Sequence, residues 1–255
     1  MPAKRALVLT CRRARLAFHR AMTRDSASKG SETPHYVGHR DRLRERFRQS
    51  EGRGFQDYEL LELALFRSIP RRDVKPLAKD LITRFGSLGG VISADIAQLT
   101  EISGVSEKTA LELKLFQTIA ETSARQTVSN RSVISSWSAL LDYLQTSLQH
   151  ASTEQFRVLY LDKKNRLLAD EFQAQGTVDH APVYPREIVK RAIALDSTAF
   201  ILVHNHPSGD PTPSRADIEM TQKIKQASDP FGIVVHDHII VGRDDTTSFR
   251  RLGLL

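Results

Sequence analysis

The chain has 255 residues, 40% apolar and 26% charged, a balance that suits one large or two modest folded domains. No run approaches the roughly 18 apolar residues of a membrane span. The single cysteine, Cys11, excludes an internal disulfide framework and any zinc site built from several thiolates. A reducing, cytoplasmic setting is expected.

The net charge of +7 is unevenly placed. Residues 1–24 carry Lys4, Arg5, Arg12, Arg13, Arg15, Arg20 and Arg24 and no acid, which leaves acids and bases equal in number over the rest. This segment reads either as an organellar-type targeting segment or as an extension from an early start codon. Polar residues 25–36 read as linker, so 1–36 are expected to stand apart, basic and without order.

Helical periodicity follows, in GHRDRLRERFRQS and then in DYELLELALFRSI. A further helix is predicted over Asp73–Arg84, stopped by Gly86. LTEISGVSEKTALELKLFQTIAE predicts helix, tight turn at Ser103-Gly104-Val105, helix. A soft boundary is expected within the Ser/Thr/Asn-rich stretch Thr122–Ser136. These elements make 37–125 an all-α domain.

Residues 133–255 change character. FRVLYLD and RLLADEFQAQG, joined by Asp162-Lys163-Lys164-Asn165, predict a β-hairpin. YPREIVKRAIALD predicts a helix with Pro185 in its first turn. TAFILVHNH predicts a strand covered on both faces, SRADIEMTQKIKQAS a helix, and GIVVHDHIIVG another strand. The class expected here is α/β, a mixed sheet flanked by helices.

The chemistry concentrates in HNHPSGDPTPSRAD. Side chains two apart on a strand share a face, so His204 and His206 point together, with Asn205 opposite. Pro207 ends the strand, and a turn-rich loop returns the chain to Asp217 in the next helix's first turn. Two imidazoles and a carboxylate suit one zinc ion with an open position for water. Ser214 and Asp217 also fit a capping box, S-x-x-D before an amphipathic run. The two readings stand side by side. His236 and His238 form a second same-face pair among apolar neighbours, which points to a buried or supporting role. Asp179 and His180 form a weaker pair in a loop. No H-E-x-x-H is present, and a zinc-deaminase signature fails for want of cysteine.

H-x-H, ten residues, then D, with serine three before the aspartate, resembles the JAMM motif of JAB/MPN metalloprotease domains. HNHPSGDPTPS together with TVDHAPVYPREIVKRA and DHIIVG resembles the RadC family over residues 37–255. The resemblance implies that His204, His206 and Asp217 hold one Zn²⁺ and that Ser214 assists an oxyanion. It also implies an upstream glutamate as general base. Glu154, where the domain's first strand begins, is the expected one, with Glu187 and Glu171 as alternatives.

The expected activity is metal-dependent hydrolysis of peptide or isopeptide bonds in a peptide or protein substrate. The alternative is a DNA-associated, repair-related protein with a structural metal, in keeping with the label the RadC family carries. A ligand-less scaffold is disfavoured by the complete ligand set. ISGVSEKTA resembles a helix-hairpin-helix, which would present Gly104, Val105, Ser106 and Lys108 to DNA phosphates. Its second hairpin glycine is replaced by Ser106, which restricts close backbone approach. No membrane partner is expected. Substrate and oligomeric state are not written in the sequence.

Overall fold

A computed structural model describes residues 38–129, 132–175 and 183–255. The basic segment 1–24, the linker 25–36 and the pair Asp179 and His180 lie outside the described residues. Among the described residues, no helix is long and apolar enough to cross a membrane.

Among the described residues six helices come first: α1 (His39–Ser50), α2 (Asp57–Ser68), α3 (Lys75–Phe85), α4 (Leu88–Ser93), α5 (Ile96–Thr100) and α6 (Glu107–Ser129). The helix expected from Asp73 begins two residues later. There Asp73 accepts a hydrogen bond from the Lys75 amide at 3.0 Å, and Pro76 occupies the first turn. Gly86 stops α3 with φ 84°, as its lack of a Cβ permits. Leu61, Leu65, Leu81, Leu99 and Leu113 bury their side chains in one core of this helical region.

The stretch read as a soft boundary is largely helix. α6 continues to Ser129, and Val128 near its end packs into a second core with α7 (Trp137–Leu148). α7 was not anticipated, although Leu140, Tyr143, Leu144 and Leu148 carry the helical spacing of a buried face.

The predicted order holds from β1 (Gln155–Leu161), β2 (Leu167–Gln175), α8 (Pro185–Ala194), β3 (Ala199–Asn205) and α9 (Arg215–Ser228) to β4 (Val234–Val241), and two short elements that were not anticipated follow, β5 (Thr246–Ser248) and α10 (Phe249–Leu252). Its five strands run in the order β2-β1-β3-β4-β5. β1 is antiparallel to both β2 and β3, β3 and β4 are parallel, and β5 returns antiparallel. β3 is buried along its whole length. Ile201 and Val203 face the α7 side, while Phe200 and Leu202 face α8 and α9. The continuous apolar run of this strand thus reflects cover on both faces.

His236 and His238 do not share a face. A bulge in β4 opposite Phe200 and Ile201 inserts His236 as an extra residue and breaks the alternation. His236 Nε2 meets Asn165 Oδ1 of the β1–β2 turn at 2.6 Å, whereas His238 turns toward β3.

Candidate metal centre

His204 closes β3 on the α8/α9 face, and its ring stacks on Phe156, its cross-strand neighbour, with planes 12° apart. His206 continues the strand by one more bond, from its amide to Val241 O at 3.0 Å. The loop beyond it is then pinned to the β4–β5 turn. Gly209, at φ 91°, accepts from the Arg243 amide at 3.1 Å. Gly242 lies so close that an added Cβ would stand 2.5 Å from Gly209 O. Glycine at both places lets the loop fold back and deliver Asp217 to the histidines.

Asp217 plays both parts that the sequence left open. Its Oδ2 accepts from the Ser214 amide at 2.7 Å, and Ser214 Oγ accepts from the Asp217 amide at 3.2 Å, closing a capping box on α9. The same carboxylate lies 3.3 Å from His204 Nε2 through Oδ1 and 3.6 Å from His206 Nε2 through Oδ2. The two Nε2 atoms are 3.0 Å apart. These three side chains form the His/Asp group able to hold a metal ion among the described residues.

Hydrogen bonding fixes the tautomers. Thr221 Oγ1 must donate its one proton to the Asp217 carbonyl at 2.6 Å, because a carbonyl only accepts. His238 Nδ1, 2.6 Å from the same oxygen, therefore donates to it. His238 Nε2 is left to accept from His204 Nδ1 at 2.8 Å. His206 Nδ1 likewise donates to Asp210 O at 2.7 Å. Both ligand rings in their neutral form thus aim an Nε2 lone pair at the same point. Two lone pairs 3.0 Å apart repel unless a proton or a cation lies between them. Ligands about 2.0–2.2 Å from a tetrahedral zinc stand roughly 3.3–3.5 Å from one another, and the observed 3.0, 3.3 and 3.6 Å bracket that span. The donor set fits zinc.

The charges agree. The hydrogen bond to Asp217, opposed by burial, raises the His206 pKa. Burial alone would push the Asp217 carboxyl up, but hydrogen bonds from His204 and His206 hold it far below the usual carboxylate range. Complete burial keeps His238 well below the ordinary histidine value, and hence neutral, as its relay position requires.

Thr221 and Asn205 carry weight that the sequence reading missed. Thr221, fully buried, orients His204 through His238. Thr221→Val should weaken zinc affinity by roughly 10–100-fold, the usual effect of losing a supporting hydrogen bond, measured by competition with a chromophoric chelator. An affinity equal to wild type would show that the relay does not orient the ligand. Asn205 Nδ2 donates to Thr153 O at 3.1 Å, and its Oδ1 accepts from the Gln155 amide at 2.9 Å. It clamps the backbone on both sides of Glu154.

The antiparallel ladder ends with Phe156 opposite His204, so the chain just before β1 carries Glu154 toward the His206 end of β3. Its charge contributes to raising the His206 pKa. The other two glutamates are engaged elsewhere. Glu171 forms a two-pronged ion pair with Arg191, and Glu187 lies 3.4 Å from Arg186 and 3.7 Å from Lys190. Ser214 is exposed, with its oxygen accepting the cap bond.

The hairpin residues divide differently. Gly104 adopts φ 95°, and its carbonyl accepts from Arg72 Nη2 at 3.3 Å. Val105 is buried in the helical core, and its amide closes the turn onto Ile102 O at 3.0 Å. Ser106 Oγ accepts from the Thr109 amide at 3.2 Å at the start of α6, and Lys108 is exposed. Ser106 is thus used as a helix cap, and the Arg72 guanidinium lies across the glycine.

A protein-family model described as the RadC-like JAB domain matches residues 134–254. A relative from Rhodobacter capsulatus, described as a UPF0758 protein, is 58% identical over 213 residues, which is 84% of this chain and 100% of the relative. The matched span of the family model contains His204, His206, Asp217 and the whole Thr221–His238 relay. Identity at that level along the full length of a relative leaves one conclusion, that the chain belongs to the RadC family of JAB-domain proteins.

Proposed function

We propose that this protein is a zinc-dependent hydrolase of peptide or isopeptide bonds. The observation that carries the reading is the convergence of two inward Nε2 lone pairs and one carboxylate beside a further, uncommitted carboxylate, Glu154. His204, His206 and Asp217 would hold the ion. When bound, zinc supplies Lewis acidity and lowers the pKa of a water at its open position toward neutrality.

The remaining work belongs to side chains of this chain. Glu154 takes a proton from the attacking water and passes it to the leaving amine, which needs a carboxylate held in one place by its backbone. Asn205 supplies that hold. Ser214 accepts the cap bond through one lone pair and keeps its hydroxyl proton to donate to an oxyanion. His206 and Asp217 have side chains 19% and 16% exposed, which opens one side of the centre to a substrate while His204 stays covered.

The test is metal analysis followed by digestion of a peptide library. Zinc near one equivalent, with cleavage that chelator stops and zinc restores, is the expected result. Zinc-loaded protein that cuts nothing, yet binds duplex DNA with an affinity that collapses as salt rises, would favour the DNA-associated role with a structural metal.

A further inference from the structure

Apart from the residues of the metal centre, the chain lines a polar cavity of about 240 Å³, several times the ~30 Å³ share of one liquid water. Its walls come from the helical region and the sheet together. Lys114, Gln117 and Glu121 form one stripe of α6 at helical spacing. Opposite them are His150 at the end of α7 and Arg157 of β1. Neither the ligand set nor Glu154 belongs to it.

The cations of this cavity are less well served than its acids. The Arg157 side chain is only 10% exposed, yet its Nε has no partner, its Nη2 reaches Gln155 Oε1 at 3.4 Å, and its Nη1 is 3.6 Å from Asp170. Its guanidinium plane lies over the Phe172 ring, 4.0 Å from the centroid, which fixes its orientation. Lys114 Nζ donates to two neutral acceptors, Ser93 O at 3.0 Å and Gln117 Oε1, and burial lowers its pKa. The acids are already occupied. Asp95 caps α5 and accepts from Ser152 Oγ at 3.4 Å, while Glu121 accepts from Gln117 at 2.8 Å and is pushed upward by burial. Asp170 pairs with Arg157, and Asp95 and Glu121 act on Lys114 from a distance, but the Arg157 Nε has no acceptor and the Lys114 ammonium donates only to neutral oxygens, so both keep donor capacity for a further oxyanion.

We infer that this cavity binds a small molecule carrying an oxyanion, a carboxylate or a phosphate, between Lys114 of α6 and Arg157 of β1. A planar fork and a point charge facing the same space are the donors such groups require.

Isothermal titration of the full zinc-loaded chain with inorganic phosphate, and separately with glutarate, tests this. Saturable one-to-one binding of either probe is expected, and the probe that binds identifies the oxyanion. Lys114→Gln should weaken binding about tenfold or more, the scale of one charge-assisted hydrogen bond, and Lys114→Arg should restore most of it. His206→Ala should leave it unchanged. Absence of saturable binding by both probes overturns the inference, as does binding indifferent to Lys114→Gln. Binding lost in His206→Ala but kept in Lys114→Gln would place the anion on the metal and overturn it too.

Discussion

Asp217→Asn is expected to keep the fold and lose the metal. The asparagine side-chain oxygen can still accept from the Ser214 amide, a bond of 2.7 Å in the native chain, so the cap on α9 survives. The bond from Thr221 goes to the backbone carbonyl of residue 217, so the relay that orients His204 survives as well. What disappears is the negative charge between two imidazole lone pairs. Zinc affinity should then fall by more than the roughly 10–100-fold attached to an outer hydrogen bond, while the melting temperature of the metal-free protein stays close to wild type. Asp217→Ala should lose both functions, adding about 0.5–2 kcal/mol of lost cap stability. Competition with a chromophoric chelator and thermal denaturation of the two variants separate these effects. Unchanged zinc affinity in Asp217→Asn would show that the residue is only a cap.

The same residue shows how far a sequence can be read. The two-residue spacing of the histidines ending TAFILVHNH, the stop at Pro207 and the S-x-x-D cap are local signals, and each survives in β3, the loop and α9. Local signals placed the three candidate ligands on two elements. They could not show that one carboxylate reaches His204 through Oδ1 while its Oδ2 serves both the cap and His206, because that depends on how α9 seats against β3. His236 is the opposite case. Its period-two spacing from His238 promised a shared face, but a bulge set by pairing with β3 sent it to Asn165. A bulge is a property of two strands, and one strand's pattern does not record it.

Asn205 was legible only as the residue on the other face. Its clamp on Thr153 and Gln155 spans about fifty positions of sequence and exists because β1 runs antiparallel beside β3. The sequence preferred Glu154 among three glutamates only through the resemblance, and the same strand pairing adds a physical ground for it. Glu171 lies on β2, one strand farther from β3, and Glu187 on α8, whereas Glu154 enters the strand that touches the histidines. Strand order, not residue type, separates them.

Glu154→Gln should therefore keep zinc at the wild-type ratio and reduce cleavage of any peptide that the wild type cuts by roughly 10²–10⁴-fold, the usual worth of a positioned general base. The amide is nearly isosteric and keeps the backbone held by Asn205, so geometry is preserved while the proton acceptor is lost. Glu171→Gln breaks an ion pair whose partners are 45% and 30% exposed, an arrangement that contributes about 0–1 kcal/mol to stability and should leave turnover unchanged. Glu187→Gln, on the exposed face of α8, should behave the same way. Metal content, melting temperature and initial rates on one peptide, measured side by side for the three variants, distinguish base from bystander. Full activity in Glu154→Gln with zinc bound would remove it from the reaction.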